Sequence, residues 1–153
     1  MRDTIEKKPE EPGFPQLELE HQLCFPLYAA ARRVMSRYTP YFKPLGITYT
    51  QYIVFLALWE MGTATVGDLC HRLYLDNGTI TPLLKKMEEA GYIARARSDK
   101  DERVVTVHLT PSGWEMREKV RDIPMQVGSC IPLSLDEAAT LYSLLYKLLA
   151  EIE

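Results

Sequence analysis

No stretch of about 18 apolar residues runs through this 153-residue chain, so it holds no candidate membrane-spanning helix. Cysteine is scarce. Cys24, Cys70 and Cys130 lie far apart and form no Cys-x-x-Cys pair. So sparse and odd a set argues against a secreted disulfide scaffold and fits a reducing compartment. The three histidines, His21, His71 and His108, are isolated from other ligand types at useful spacing, so no metal site is expected. There is no glycine-rich loop that would cradle a nucleotide or flavin, and no cofactor is expected. A turnover enzyme such as a thiol peroxidase or reductase would therefore have no evident route for recycling itself. Residues 1–16, MRDTIEKKPEEPGFPQ, lack the apolar core of a secretory signal. They read as a disordered, proline-bearing arm of a cytoplasmic protein.

Positive charge is also short, with a formal net of −3. Its distribution is more informative. Residues 1–20 carry three basic and six acidic side chains, and residues 114–153 carry four and seven. Residues 21–113 carry eleven basic and eight acidic ones, a net of +3. A mildly basic middle between acidic ends is compatible with binding a polyanion, and equally with a mixed solvated surface.

What the chain has is a succession of amphipathic helices with clear start and stop signals. Residues 17–42 repeat apolar side chains at three and four, with Leu27, Ala31, Val34, Met35 and Tyr38 in register. Pro26 interrupts this pattern. The helix either begins near Phe25 or bends there. Thr48 and Gln51 form a capping-box pair ahead of an apolar helix that Gly62 ends. A short helix follows Thr65. Another follows Asp76 or Asn77, with Ile80, Leu83, Leu84 and Met87 on one face and Gly91 as its stop. Residues 92–96 and 104–109 are β-prone and joined by a charged turn, which predicts a hairpin. Thr110 and Pro111 start the next helix. Ser134 and Glu137 cap a last one, whose Leu141, Leu144, Leu145, Leu148, Leu149 and Ile152 crowd one side. A monomer of this size would struggle to cover that face, so a homodimer is expected.

Three helices followed by a hairpin make a winged helix-turn-helix. The predicted fold is mainly α with a small β-hairpin wing. Residues 47–113 would form a DNA-binding region, and residues 17–46 and 114–153 a helical dimerisation region. In the helix after Asp76, Asn77, Gly78, Thr79 and Thr81 supply small groups where a recognition helix enters the major groove, and Lys85 and Lys86 follow where phosphates would lie. Around the hairpin turn, Arg95, Arg97, Lys100 and Arg103 are candidates for a minor groove. Asp99, Asp101 and Glu102 would stiffen that turn by pairing with the arginines.

The stretch LDNGTITPLLKKMEEAGYIARARSDKDERVVTVHLTPSG, with its D-x-R wing and following L-T-x-x-G, resembles the DNA-binding core of the MarR family of transcriptional regulators. LCFPLYAAARRVMSRY and GITYTQYIVFLALWE add a resemblance to the thiol-based, organic-hydroperoxide-sensing OhrR branch. The likeness covers residues 17–153. It implies a cytoplasmic homodimeric repressor on a palindromic, double-stranded operator, with Asn77, Gly78, Thr79, Thr81 and Lys85 at the major groove and Arg103 at the wing tip.

The same resemblance gives Cys24 a role. On an ideal helix Tyr28 and Tyr38, four and fourteen residues on, lie within about 40° of its face, but Tyr38 is roughly 21 Å further along. One straight helix cannot join them, whereas a partner's antiparallel helix could. In the OhrR branch the matching tyrosines come from the partner and hydrogen-bond the cysteine. Phenol donors favour thiolate over thiol, and Phe25, Leu27 and Tyr49 would favour an apolar peroxide. Oxidation gives a sulfenic acid and then a disulfide. Cys130 of the partner is the possible resolving thiol, as in the family's two-cysteine class, and a small cellular thiol is the other candidate. Cys70 reads as core. Two further readings compete: a MarR-type repressor relieved by a phenolic or drug-like ligand, and a winged unit that contacts protein rather than DNA.

Overall fold

The computed structural model describes residues 13–97, 101 and 103–152. Residues 1–12 of the expected arm, and Asp99, Lys100 and Glu102 of the charged turn, lie outside them.

Two 3-10 turns, Pro15–Leu17 and Leu19–His21, lead into helix α1, Cys24–Ser36. Pro26 is the third residue of α1. The first backbone N–H groups of a helix have no intrahelical acceptor, so a proline there costs no bond and causes no bend. The helix thus begins at Cys24. It also ends sooner than the apolar pattern suggests. A short α2, Thr39–Phe42, and a 3-10 turn follow before Gly46, whose φ of +68° reverses the chain.

The centre is α3, Tyr49–Met61. It opens on the expected capping box: Gln51 N donates to Thr48 Oγ1, and Thr48 N donates to Gln51 Oε1 at 2.9 Å. Val54, Phe55 and Leu58 are fully buried, and Tyr52 and Ala57 nearly so. Helix α4, Val66–Leu73, carries a second capping box between Thr65 and Asp68. Helix α5, Asn77–Glu89, is capped by Asp76 and packs Ile80, Leu84 and Met87 against α3 and the sheet.

The wing has one more strand than the sequence suggests. Strands β2, Ile93–Arg97, and β3, Val105–Leu109, form the expected antiparallel hairpin, and β1, Thr63–Thr65, pairs with the other edge of β3 in the order β1-β3-β2. Three residues, the last of them the cap of α4, are too few to show a period-two signal; the free edge of β3 is what makes them a strand.

Helix α6, Pro111–Val120, is capped by Thr110 and buries Met116 and Val120. The chain breaks after it and restarts as α7, Ile123–Gly128, with Pro124 in its first turn. Helix α8, Leu135–Glu151, is capped by the Ser134–Glu137 box. Neither α1 nor α8 contains a buried residue. One contiguous core therefore runs from Phe42 through the winged unit to Val127 and leaves the two outer helices uncovered. No described helix is long and apolar enough to cross a membrane.

Candidate functional site

The outer side of α5 is built by its cap. Asp76 accepts from Thr79 N at 2.8 Å and from the Thr79 hydroxyl at 2.9 Å, and these bonds hold its carboxyl below the usual carboxylate range. The Thr79 hydroxyl therefore spends its proton on the cap and keeps only its lone pairs for a ligand. A Cβ on Gly78 would stand 3.0 Å from Asp76 Oδ1, so a larger residue would crowd the cap. Asn77 Oδ1 accepts from the Cys70 thiol at 3.5 Å, which leaves the two Nδ2 donors of Asn77 free to face outward. Cys70 is accordingly a half-buried partner of Asn77, packed against the core as expected. Asn77, Gly78, Thr79, Thr81, Lys85 and Lys86 are all exposed. Lys85 lies 3.9 Å from Glu89, an exposed pair of little energetic weight, and Lys86 falls in the last turn.

A groove of about 440 Å³ separates α5 from the wing. Thr65 and Gly67 at the start of α4, Asn77 and Thr81 of α5, Arg95 of β2, and Arg103 all line it. Hydroxyls, the Asn77 amide and the Arg103 guanidinium share this surface with the apolar Val66, Leu84, Val104 and Val105, and those polar groups suit a phosphate backbone. The Thr65–Gly67 contribution was not evident in the sequence, because only the third strand carries the start of α4 to this edge.

The wing residues divide in two. Arg97 ends β2 and Arg103 precedes β3, both exposed near the turn. Arg95 is not at the tip. It sits mid-strand, partly buried, with its guanidinium on Glu88 of α5: Nη2 donates at 2.7 Å and Nε at 3.0 Å to Glu88 Oε2, and its backbone N–H donates to Glu88 Oε1 at 3.0 Å. The Arg95 bonds hold the Glu88 carboxyl below its usual range. The sequence hides this because two residues seven apart meet only when a helix turns back along a strand. Asp101 stiffens the turn differently from the expectation. Its carboxylate accepts from the Arg103 backbone N–H at 3.0 Å, and its carbonyl from Val104 N at 2.9 Å.

The thiol region is open. Cys24, first residue of α1, is exposed, and so is Tyr28 one turn on, whose ring lies under the Arg32 guanidinium at 5.4 Å. Tyr38 is not on the face of α1, which ends at Ser36. It occupies the turn into α2, and the 13 residues of α1 rise about 18 Å between its head and that turn. There Tyr38 stacks on Phe42 at 5.2 Å and meets Tyr49 at 5.0 Å and Tyr52 at 5.7 Å. Burial, and then the mutual proximity of the phenols, raises Tyr38 above the ordinary tyrosine value, and burial raises Tyr49. Tyr52 is pushed up to about 12. All three phenols are thus protonated donors at neutral pH. Tyr49 and Tyr52 belong beside Tyr38, which the eleven-residue gap between Tyr38 and Tyr49 does not reveal.

Cys130 is exposed just beyond α7, its thiol donating to the Gln126 carbonyl at 3.5 Å. Among the described residues, no three His, Cys, Asp or Glu side chains converge as a metal site.

Residues 37–123 match the family described as transcriptional regulator SarA/Rot. The chain is 45% identical over 139 residues to the organic hydroperoxide resistance transcriptional regulator of Bacillus subtilis, which covers 91% of this chain and 95% of that protein. Its fold is similar to that of the reduced form of AbfR, a Staphylococcus epidermidis protein, bound to DNA: 33% identity, TM-score 0.75, covering 90% of this chain and 96% of the other. Disulfide-formed AbfR is similar at 34% identity and TM-score 0.64, covering 90% and 95%.

Proposed function

Because the chain belongs to the MarR family of transcriptional regulators, in its organic hydroperoxide resistance branch, we propose that it is a homodimeric DNA-binding repressor that releases its operator when Cys24 is oxidised. Residues 47–113 bind the DNA. Asn77, Gly78, Thr79, Thr81, Lys85 and Lys86 face the major groove and its phosphates; Arg97 and Arg103 enter the adjacent minor groove, with Asp101 shaping the turn that presents them. Residues 17–46 and 114–153 form the dimer.

The observation that carries this reading is an incomplete site. Cys24 heads a helix that none of the other described residues buries, while protonated phenols cluster beyond the other end of that same helix. Antiparallel association of two protomers brings the Tyr38–Tyr49 cluster of each to the sulfur of the other. The same association covers α8, whose Leu144, Leu148 and Leu149 are exposed. Donated hydroxyls favour the thiolate, the reactive form. Sulfur then attacks the terminal oxygen of a hydroperoxide, ROOH. The O–O bond breaks, a sulfenic acid forms, and RO⁻ leaves and takes a proton to become ROH. A second thiol, Cys130 of the partner or a small cellular thiol, displaces water to give a disulfide. Rebuilding this pocket shifts the dimer helices and changes the separation of the recognition helices. Half-sites about 34 Å apart tolerate little such error.

Titrating operator binding with an organic hydroperoxide, on the wild type and on Cys24→Ser, tests the proposal. Release by the wild type alone is expected. Equal sensitivity of both proteins ends the sensor reading and leaves a ligand-relieved repressor, which a ligand-induced rise in melting temperature would identify.

A further inference from the structure

The pairing of Arg95 has a consequence for how DNA is read, one that rests on the DNA-binding reading above. The sheet order β1-β3-β2 leaves β2 as an outer strand. Arg95 stands opposite Val107 of β3, yet its N–H donates to Glu88 Oε1 at 3.0 Å, on the side away from β3. One carboxylate therefore does two things. It caps an unpaired edge donor of the wing and holds the guanidinium of the same residue at 2.7 and 3.0 Å. Glu88 is in the last turn of α5. The two groups that read DNA, α5 and the tip bearing Arg103, are thus joined at a point between them by three hydrogen bonds to one side chain. All three are charge-assisted, because the acceptor is a carboxylate, and the two from the guanidinium fix both direction and distance. The pair is partly shielded, with side-chain exposures of 26% for Arg95 and 36% for Glu88, unlike the other ion pairs among the described residues.

We infer that Glu88 and Arg95 are positioning residues that set the angle of the wing to the recognition helix, and so determine how strongly the protein discriminates the minor-groove shape beneath the wing. Arg103 can exploit a narrow A·T minor groove only if the tip arrives in register while α5 occupies the major groove. Without the latch, α5 still docks, but the wing samples several angles and its arginines lose their preference.

The test uses full-length wild type, Glu88→Ala, Arg95→Ala, the double variant and Glu88→Gln. Wild type first selects an inverted repeat from a random-duplex library. That duplex is then made in two forms, with A·T or with G·C steps in the minor grooves flanking the half-sites. Wild type should favour the A·T form. In both alanine variants the preference should fall toward parity, with a loss of roughly ten-fold in affinity for the A·T duplex. The double variant should be no worse than either single one, and Glu88→Gln, which keeps an acceptor for the Arg95 N–H, should recover part of the preference. Three results overturn the inference: a loss equal on both duplexes that persists when Arg95→Ala is added to Glu88→Ala, meaning direct phosphate contact; a lower melting temperature with the preference unchanged, meaning a merely structural pair; or no change at all. Failure of the wild type to select any duplex would instead sink the DNA-binding reading, and this inference with it.

Discussion

Replacing Gly113 with alanine should damage the protein more than its position in the first turn of a surface helix suggests. A Cβ there would stand 2.1 Å from the Tyr92 carbonyl oxygen and 2.9 Å from Leu109 Cδ2. Relaxed contact requires separation by roughly a further 1 Å. The nearest atom is backbone, so no rotamer change relieves the clash. Four hydrogen bonds converge on this joint. Thr110 N donates to Tyr92 O at 3.0 Å, and the Thr110 hydroxyl to Gly91 O at 2.6 Å. Gly113 N donates to Thr110 Oγ1 at 3.2 Å, and Trp59 Nε1 to Gly113 O at 3.2 Å. Overpacking costs about 1–3 kcal/mol, and loosening two of the bonds about 1 kcal/mol each. The better helix propensity of alanine offsets up to about 1 kcal/mol. The net loss is about 2–4 kcal/mol, a large share of the roughly 5–15 kcal/mol typical of a domain. Urea unfolding at fixed protein concentration, followed by tryptophan emission, measures it, since Trp59 reports on this joint. Two controls separate the causes. Gly46→Ala has open space but a φ of +68°, and should lose only about 1–2 kcal/mol from backbone strain. Gly128→Ala has open space and an ordinary φ, and should be neutral or stabilising. A loss below about 1 kcal/mol for Gly113→Ala would refute the steric reasoning.

Other outcomes follow from the same geometry. Leu144→Asp with Leu148→Asp should convert the proposed dimer to monomer in sedimentation experiments while leaving the far-ultraviolet circular dichroism unchanged, because neither side chain is in the core. Tyr38→Phe and Tyr49→Phe should each slow the oxidation of Cys24 by hydroperoxide, measured as loss of free thiol, since the donor is removed and the ring retained. Pro26→Ala should change stability by less than about 0.5 kcal/mol in thermal unfolding, because an unbonded N–H position gains nothing from a donor. Acid should weaken the fold in a defined sense. The carboxyls of Glu88, Asp68, Asp76 and Glu137 all lie below their ordinary values, through bonds from Arg95, Thr65, Thr79 and Ser134 respectively. Their contribution is complete above the ordinary carboxylate range near 4–4.5 and is lost as pH falls through the lowered folded values. Melting temperature should therefore be flat in this respect at neutral pH and drop below about pH 4, less steeply in Glu88→Gln.

Local chemistry fixed much of this protein in advance. Thr48, Thr65, Asp76, Thr110 and Ser134 begin helices where their side chains can accept from a backbone N–H three residues on, and such caps involve neighbours only. The same holds for Gly62 as a stop and for the β2–β3 hairpin. The leucine face of α8 was legible as an uncovered surface because helical periodicity alone places those side chains together. Where Pro26 left two readings, the structure chose by counting N–H groups at a helix start. Tertiary packing decided everything that joins distant segments: the third strand, the move of Arg95 from tip to latch, the grouping of Tyr38 with Tyr49 and Tyr52, and the start of α4 in the groove. None of these has a sequence period, since each depends on how one element's end meets another's side. Sequence therefore determined which elements exist and which faces are apolar, through interactions a few residues long, whereas only the folded chain decided which charges pair and which phenol rings pack together.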